Sequence, residues 1–434
     1  MNKKILSLSI AIFAVALVSA AVVLFLYPYE PLQPPQANDT GSTLEGIKEV
    51  VNANNKFAFD LYHELSKREE GNIFYSPYSI SAAMAITYEG AKGKTAEEIK
   101  QVFHFPSYEI LRPNFAAIYN KINEKNKDYE LRTGNALWIQ KDFPMLEDYK
   151  NRVEKYYGGK AANLDFVNEL EKSRQTINSF IEEQTNKKIK ELIPKRILGR
   201  ETVLVITNAI YFKGTWLKQF DKKNTRETDF KLDNGEKVKV KMMSITKSED
   251  DFNKFNYTET DKLQILELPY KENDLSMIIL LPKQGYFYDK EGLKEYNYTL
   301  ADIEPDLTAE NLNLWLSQLK PVNINVYLPK FKLETKYFMK KTLSEMGMPT
   351  AFTPEADFSG IVKGDKIWID KVIHQAYIDV NEEGTEAAAA TAVIMERSAA
   401  IEKVFRADHP FIFIILDKRT NEILFLGKVV DPSL

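Results

Sequence analysis

Hydrophobic residues follow two periodicities along this chain, and the helical one comes first. Apolar positions recur every three or four residues over Glu45–Arg68, Ser79–Tyr88 and Asn163–Gln184, and this spacing predicts three amphipathic helices. The run Thr95-Ala96-Glu97-Glu98 is typical of the capped start of a further helix. The first half of the chain is therefore predicted to be mainly helical.

Short apolar runs of strand length dominate the chain after residue 200, with turn residues between them. Because helices precede strands that follow each other at hairpin spacing, the pattern predicts an α+β domain with large mixed or antiparallel sheets. A regular alternation of strand and helix is absent from the pattern. The predicted strands are Val203–Phe212, Val238–Ile245, Leu263–Leu268, Met277–Leu281, Val322–Leu328, Phe411–Leu416 and Ile423–Val430.

The N-terminus carries one long apolar run, Ile5–Leu26, directly after Lys3 and Lys4. As a helix this run would extend about 33 Å, enough to cross a hydrocarbon core of about 30 Å. One interpretation is a cleavable signal peptide with its cleavage site at Val18-Ser19-Ala20. The other is an uncleaved membrane anchor, which the apolar continuation to Leu26 favours. In both cases the two lysines predict that the rest of the chain is exported.

These features divide the chain into three parts. Residues 1–27 are the anchor or signal segment, residues 28–43 a proline-rich linker, and residues 44–434 the folded domain. We therefore expect an extracytoplasmic protein tethered to the cell membrane, or a secreted protein if the segment is a cleaved signal.

Composition and charge narrow the classes of function. The chain has 434 residues, of which 44% are hydrophobic and 28% charged, so it can bury a sizeable core. Its net charge of -4 comes from interspersed acidic and basic residues, which argues against a nucleic acid partner. With no cysteine, disulfides and thiol chemistry are excluded. Such a composition, rich in Lys, Glu and Ile, is typical of heat-tolerant prokaryotic proteins.

Signatures of catalysis and of cofactor binding are missing. The four histidines, His63, His104, His374 and His409, never have the spacing of metal ligands on one helix face. The chain also lacks the nucleophile elbow of hydrolases, the P-loop and the dinucleotide-binding turn. A Ser-His-Asp triad assembled from distant residues stays open. We expect no metal, no cofactor and no enzymatic activity.

The most unusual segment runs from Asn381 to Ala400 and is rich in alanine and glutamate. One interpretation is a surface helix, because both residue types are good helix formers. The other is a latent strand in which Thr385, Ala387 and Ala389 would share one uncharged face, opposite Glu386, Ala388 and Ala390. Gly384, at its start, is flexible enough to act as a hinge.

Residues 381–392 resemble the hinge of the reactive-centre loop in inhibitory serpins, the serine protease inhibitors. Further motifs occur in the order found in that family, and together they cover about residues 46–434. They are Asn72–Ile80, Thr207–Trp216, Leu328–Phe331, Phe358–Ile361, His409–Phe413 and Phe425–Val430.

This resemblance implies a fold with three β-sheets, eight or nine helices and an exposed reactive-centre loop near the C-terminus. It implies a monomer that inhibits a serine-type protease as a suicide substrate, through a covalent acyl-enzyme and insertion of the cut loop into the main sheet. The hinge residues would be Gly384, Thr385, Glu386, Ala387, Ala388, Ala389 and Ala390. A small Thr385 fits insertion; the alternative is a non-inhibitory binding or structural serpin.

The same resemblance assigns the remaining site residues. The reactive bond would be Ser398-Ala399, which suits a subtilisin-like or elastase-like protease, or else Arg397-Ser398, which suits a trypsin-like one. Under the sheet, a polar cluster called the shutter would comprise Ser76, Ser79, Asn208 and His374, with Asn72 at its edge. Trp216 would mark the breach, the place where the loop first enters the sheet.

Overall fold

A computed structural model describes residues 36–124, 129–246, 254–289, 292–364, 366–385 and 403–434. Over these ranges the protein has nine α-helices and three β-sheets, which confirms the α+β class, the three sheets and the number of helices. The predicted membrane or signal segment lies outside the described residues, as does the loop from residue 386 to residue 402. Along the described ranges, no helix is both long and apolar enough to cross a bilayer.

The helices lie mostly in the first half of the chain, although three follow residue 299. They are α1 (Leu44–Ser66), α2 (Pro77–Tyr88), α3 (Gly93–Val102), α4 (Tyr108–Ile122), α5 (Glu147–Tyr157), α6 (Leu170–Gln184), α7 (Leu300–Ile303), α8 (Ala309–Gln318) and α9 (Lys340–Met346).

Two of the predicted helix starts are wrong. Helix α3 begins at Gly93, and Thr95 lies inside it, buried, with its hydroxyl accepting a hydrogen bond of 2.9 Å from the amide of Asp357. Asn163 belongs to a strand instead of a helix, because residues 160–164 pair in parallel with a neighbouring strand before helix α6 begins at Leu170. In both cases partners distant in sequence outweigh the local pattern.

The six-stranded sheet is the one that concerns function. Its strand order is β13-β14-β15-β4-β2-β3. The strands are β2 (Tyr129–Gln140), β3 (Lys160–Leu164), β4 (Leu204–Thr215), β13 (Phe331–Phe338), β14 (Ile369–Asn381) and the two-residue β15 (Gly384–Thr385).

The ten-stranded sheet contains all the strands predicted from the sequence except Val203–Phe212. Strand β16 pairs with β12, and the other strands follow the order β1-β18-β17-β9-β8-β7-β12-β6-β5. They are β1 (Ile73–Tyr75), β5 (Arg226–Lys231), β6 (Lys237–Ile245), β7 (Lys254–Glu259), β8 (Leu263–Pro269), β9 (Leu275–Pro282), β12 (Lys320–Pro329), β16 (Lys403–Arg406), β17 (Phe411–Asp417) and β18 (Glu422–Val429). Strands β10 (Gln284–Asp289) and β11 (Gly292–Asn297) form the third sheet, a hairpin.

Helix α2 lies between the two large sheets and every one of its residues is buried. It packs against β2 and β4 on one side and against β18 on the other. The helix is mainly apolar, as expected of an element enclosed by protein, and the hydroxyls of Ser79, Ser81 and Thr87 are all hydrogen-bonded. Ser76 caps its N-terminus by accepting a hydrogen bond of 3.1 Å from the amide of Ser79.

A buried carboxylate ties the end of helix α2 to two other helices. Glu89 accepts two hydrogen bonds of 2.7 Å from Arg112 of α4, one of 3.2 Å from Arg152 of α5 and one of 2.8 Å from the hydroxyl of Tyr157. Its side chain is fully buried. The carboxyl group is stable there because both of its oxygens are bound by charged or polar donors.

Replacing this carboxylate tests whether the three helices depend on it. We expect Glu89→Ala to lower the free energy of unfolding by about 3–5 kcal/mol, because two guanidinium groups lose their common partner. Glu45→Ala, which removes a carboxylate that is 88% exposed, should change it by less than about 0.5 kcal/mol. Urea titration followed by tryptophan fluorescence measures both, and equal effects would contradict the assignment.

Candidate functional site

Strands β4 and β14 lie side by side and parallel, and we call the boundary between them the seam. Their register runs from Leu204 opposite Ile369 to Tyr211 opposite Tyr377. Every other contact of the candidate site is arranged around this seam.

At one end of the seam, strand β15 lies between β4 and β14 and is antiparallel to both. Its Gly384 pairs with Asn381 on one side and Thr215 on the other, while Thr385 pairs with Val380 and Gly214. The first two residues of the predicted hinge are thus already part of the sheet. The hinge residues Glu386, Ala387, Ala388, Ala389 and Ala390 and both candidate reactive bonds, Ser398-Ala399 and Arg397-Ser398, lie outside the described residues.

Gly384 has no room for a side chain. A Cβ atom built at this position would lie 1.9 Å from the carbonyl oxygen of Gly214 and 2.7 Å from the Cα atom of Thr215. Both are backbone atoms of β4, so they could not move without moving the strand. Only glycine lets the chain turn this close to its neighbour.

Two buried glutamates hold the turn between β14 and β15, which we call the hinge turn. Glu382 forms an ion pair of 2.7 Å with Lys330 and accepts a hydrogen bond of 2.8 Å from the hydroxyl of Thr225. Glu383 forms an ion pair of 2.7 Å with Lys222. Burial alone would raise the pKa of Glu382, but the hydrogen bonds that it accepts from Lys330, from its own backbone and from Thr225 lower the pKa below its ordinary value.

Trp216 fastens the backbone of the same turn. Its indole nitrogen donates a hydrogen bond of 3.0 Å to the carbonyl of Asn381, and its amide donates one of 2.9 Å to the carbonyl of Glu383. The ring stacks on Tyr270 with a centroid distance of 4.5 Å and is almost completely buried. Trp216 therefore lies at the end of the seam where β15 enters the sheet.

Halfway along the seam lies a buried polar group, the seam cluster, which contains Ser76, Ser79, Asn135, Asn208 and His374. His374 of β14 and Asn208 of β4 are register partners, and Nδ1 of the imidazole bonds the amide oxygen of Asn208. Asn208 donates hydrogen bonds of 2.6 Å to the hydroxyl and to the carbonyl of Ser79, and Ser79 donates one of 3.0 Å to Asn135 of β2. The cluster thus joins β14, β4 and β2 to helix α2.

The hydrogen bonds of His374 define its protonation. Its Nε2 accepts a hydrogen bond of 3.2 Å from the amide of Ser76, so the proton is on Nδ1 and is donated to Asn208. Burial lowers the pKa of His374 to about 3. The ring is therefore neutral at physiological pH, and it bonds across the seam as a neutral group.

Asn72, predicted at the edge of this cluster, forms its hydrogen bonds with the end of β18. Its amide oxygen accepts hydrogen bonds of 2.8 Å and 3.0 Å from the amides of Val430 and Asp431, and its amide nitrogen donates one of 2.6 Å to the carbonyl of Asp431. It thus ties the start of β1 to the end of β18.

Sequence reasoning missed six of the residues that hold the site: Thr225, Lys222, Lys330, Glu382, Glu383 and Asn135. Lys330 falls in the motif Leu328–Phe331, but the motif alone does not name its partner. The acidic pair Glu382-Glu383 next to a glycine was the available signal for these contacts. If such a pair is buried, as it is here, its carboxylates require cationic partners.

Comparison with known proteins identifies the family. The chain matches the family model described as Serpin (serine protease inhibitor) over residues 52–432. It belongs to the serpin family. Most serpins are protease inhibitors rather than enzymes, and they act on their target through a complex with it.

Relatives from distant organisms cover nearly all of this serpin. An uncharacterized serpin-like protein of Methanosarcina mazei is 46% identical, over 89% of this chain and 88% of its own. Leukocyte elastase inhibitor of Xenopus laevis is 37% identical, over 89% of this chain and 100% of its own. The crystal structure of Serpin48, a highly specific serpin of the insect Tenebrio molitor, has a TM-score of 0.76 at 34% identity and covers 88% of this chain and 98% of its own.

The neutral state of His374 makes stability sensitive to acid. Its folded-state pKa of about 3 lies below the unfolded value of about 6.5, so stability present above pH 6.5 is lost as the pH falls toward 3. At pH 5 the free energy of unfolding should be about 2 kcal/mol lower than above pH 6.5 because of this residue. We expect His374→Gln to be less stable at pH 7.5 but to lose less stability between pH 7.5 and pH 5. Thermal midpoints of both proteins across this range measure the effect, and parallel pH profiles would contradict it.

The ion pair between Lys330 and Glu382 gives a second prediction. Lys330→Ala should lower the free energy of unfolding by about 2 kcal/mol or more, because it leaves a buried carboxylate without its cation. Adding Glu382→Ala should cost less than the sum of the two single changes, since the double variant buries no unpaired charge. Lys341→Ala, which removes a lysine that is 77% exposed, is the control. Additive effects at Lys330 and Glu382 would show that the pair is not coupled.

Proposed function

We propose that this serpin inhibits a serine-type protease as a suicide substrate, with the chain after Thr385 as the bait. The observation that carries the proposal is the position of β15 between β4 and β14, antiparallel to both. A strand that continued beyond Thr385 in this direction would run along the whole seam and pair on both sides.

The reaction would begin as ordinary proteolysis. The hydroxyl of the protease serine adds to the carbonyl of the reactive bond, the new amine leaves with a proton, and an ester joins the serine to the cut chain. The freed segment then enters the seam and carries the attached protease along, before water can hydrolyse the ester. The protease stays covalently bound because its own active site is distorted.

Strand pairing can supply the free energy that drives insertion of the cut segment into the seam. Insertion replaces the parallel pairing of β4 with β14 by two antiparallel pairings, and antiparallel ladders are slightly more stable per residue. Each added backbone hydrogen bond contributes about 0.5–1.5 kcal/mol, so about a dozen inserted residues give on the order of 10 kcal/mol. Before cleavage the protein must then be held by a kinetic barrier. The backbone pairing of β4 with β14 and the hydrogen bond between His374 and Asn208 are the contacts that insertion would have to break.

The choice between Ser398-Ala399 and Arg397-Ser398 as the reactive bond stays a prediction, as does the protease class that follows from it. The same holds for the extracytoplasmic location and for the monomeric state.

A covalent complex is the direct test of this function. Residues 36–434 are mixed with trypsin, with pancreatic elastase and with a subtilisin, and the products are separated on denaturing gels. We expect a band at the summed mass for at least one protease, and a released C-terminal fragment beginning at Ala399 or Ser398 by mass spectrometry. Cleavage without a covalent band for all three would favour the non-inhibitory alternative.

A matched pair of variants tests the insertion step. Ala387→Arg puts a large charged side chain on the face predicted to enter with Thr385, whereas Ala388→Arg puts the same side chain on the opposite face. We expect Ala387→Arg to be cleaved without forming the complex and Ala388→Arg to retain it. If the two variants behave alike, the alternating strand is wrong.

A further inference from the structure

The hairpin of β10 and β11 stands apart from both large sheets. Its strands run antiparallel from Gln284 opposite Asn297 to Asp289 opposite Gly292, and neither pairs with any other described strand. An isolated two-stranded hairpin is marginally stable in water. Its stem must therefore be anchored by the body of the protein.

The anchor is at Lys283, the residue that precedes the hairpin. The carbonyl of Lys283 accepts a hydrogen bond of 3.0 Å from the amide of Tyr298, and its ammonium group lies 5.3 Å from the ring centroid of Tyr296. Gln284 donates a further hydrogen bond of 3.0 Å to the carbonyl of Tyr298. The two ends of the hairpin thus meet at a fixed stem.

One face of the hairpin presents large side chains to solvent. Tyr286 is 68% exposed and Leu293 is 56% exposed. Tyr286 is opposite Glu295 in the register, so Tyr286 and Leu293 are diagonal neighbours on one face. Tyrosine is enriched at protein–protein interfaces, where it combines a large apolar area with a polar end.

The stem of the hairpin lies beside the chain that leaves the proposed bait segment. The carboxylate of Glu259 binds the ammonium group of Lys283 at 3.0 Å and that of Lys403 at 3.3 Å. Lys403 is the first residue of β16 and the first described residue after the loop. One carboxylate therefore connects the hairpin to the point where the loop rejoins the body.

The size of an ordinary interface brings Lys403 within reach of a protease bound at the reactive bond. Ala399 precedes Lys403 by four residues, which span at most about 14 Å. A standard interface covers about 800 Å² on each partner, equivalent to a disc with a radius of about 16 Å. A protease centred on the bond would therefore reach Lys403, the residue that shares the carboxylate of Glu259 with the stem of the hairpin.

We propose that the face of the hairpin bearing Tyr286 and Leu293 is a second contact surface for the target protease. This inference rests on the proposed function and adds to it a partner surface outside the loop. The partner is expected to present an apolar patch beside its active-site cleft. The hairpin would raise the affinity of the first, noncovalent encounter, whereas the loop residues around the bond select the class of protease.

The test uses residues 36–434, which keep every described contact, and proteases whose catalytic serine is replaced by alanine, so that binding is measured without acylation. Trypsin, elastase and subtilisin in this inactive form are titrated by surface plasmon resonance. We expect the double variant Tyr286→Ser, Leu293→Ser to bind at least one of them about 10-fold more weakly than the unmodified domain. Phe338→Ser is the matched control, because Phe338 is 47% exposed and is the last residue of β13, paired with Ile373 in the six-stranded sheet.

A second variant replaces residues 284–297 by a short Gly-Ser turn, which the contact between Lys283 and Tyr298 allows. It should lose the same affinity while its thermal midpoint stays close to that of the unmodified protein. Equal affinity of the hairpin variants and the unmodified domain for every protease would overturn the inference. The inference would also be overturned if sedimentation showed that the unmodified protein and the Phe338→Ser control are dimers whereas the hairpin variants are monomers. The hairpin face would then bind a second copy of this chain.

Active protease separates this inference from the proposed function. If the unmodified protein forms no covalent complex but binds inactive protease through the hairpin, suicide inhibition fails and the contact surface stands. If the complex forms at the same rate with and without the hairpin, and the affinities for inactive protease are also equal, suicide inhibition stands and the contact surface fails.

Discussion

The parallel pairing of β4 with β14 is the interaction on which the rest of the structure depends. Two neighbouring parallel strands leave room for a third only if their hydrogen bonds to each other are given up. In this serpin that exchange has taken place at one end, where Gly384 and Thr385 lie between them, and nowhere else along the described seam. The sheet is thus divided between a short open end and a long closed part.

Two sets of buried polar contacts keep this division in place. The hinge turn is held by carboxylates paired with lysines, whereas the closed part is held by a neutral imidazole bound to an amide. The turn at one end of the seam is therefore stabilised by ion pairs, and the middle of the seam by hydrogen bonds between neutral groups.

Strands buried on both faces were predictable from the sequence, because continuous apolar runs such as Phe411–Leu416 leave no alternative environment. Strand β2 was not, since its first half contains Glu130, Arg132 and Thr133 and becomes a strand only through pairing with β4. Ser76, Ser79, Asn208 and His374 were found through the family resemblance. Asn135 escaped because its partner Asn208 is 73 residues away, and a single asparagine carries no local signal for such a contact.

The antiparallel direction of β15 also fixes the order of events if the loop enters the seam. Residues next to the hinge turn must enter first, and each later residue can enter only after the one before it. The first side chain that does not fit would therefore stop the process at its own position. The position of that side chain in the loop sequence then determines how far an attached molecule is carried. A bulky residue nearer to the hinge turn would shorten this distance.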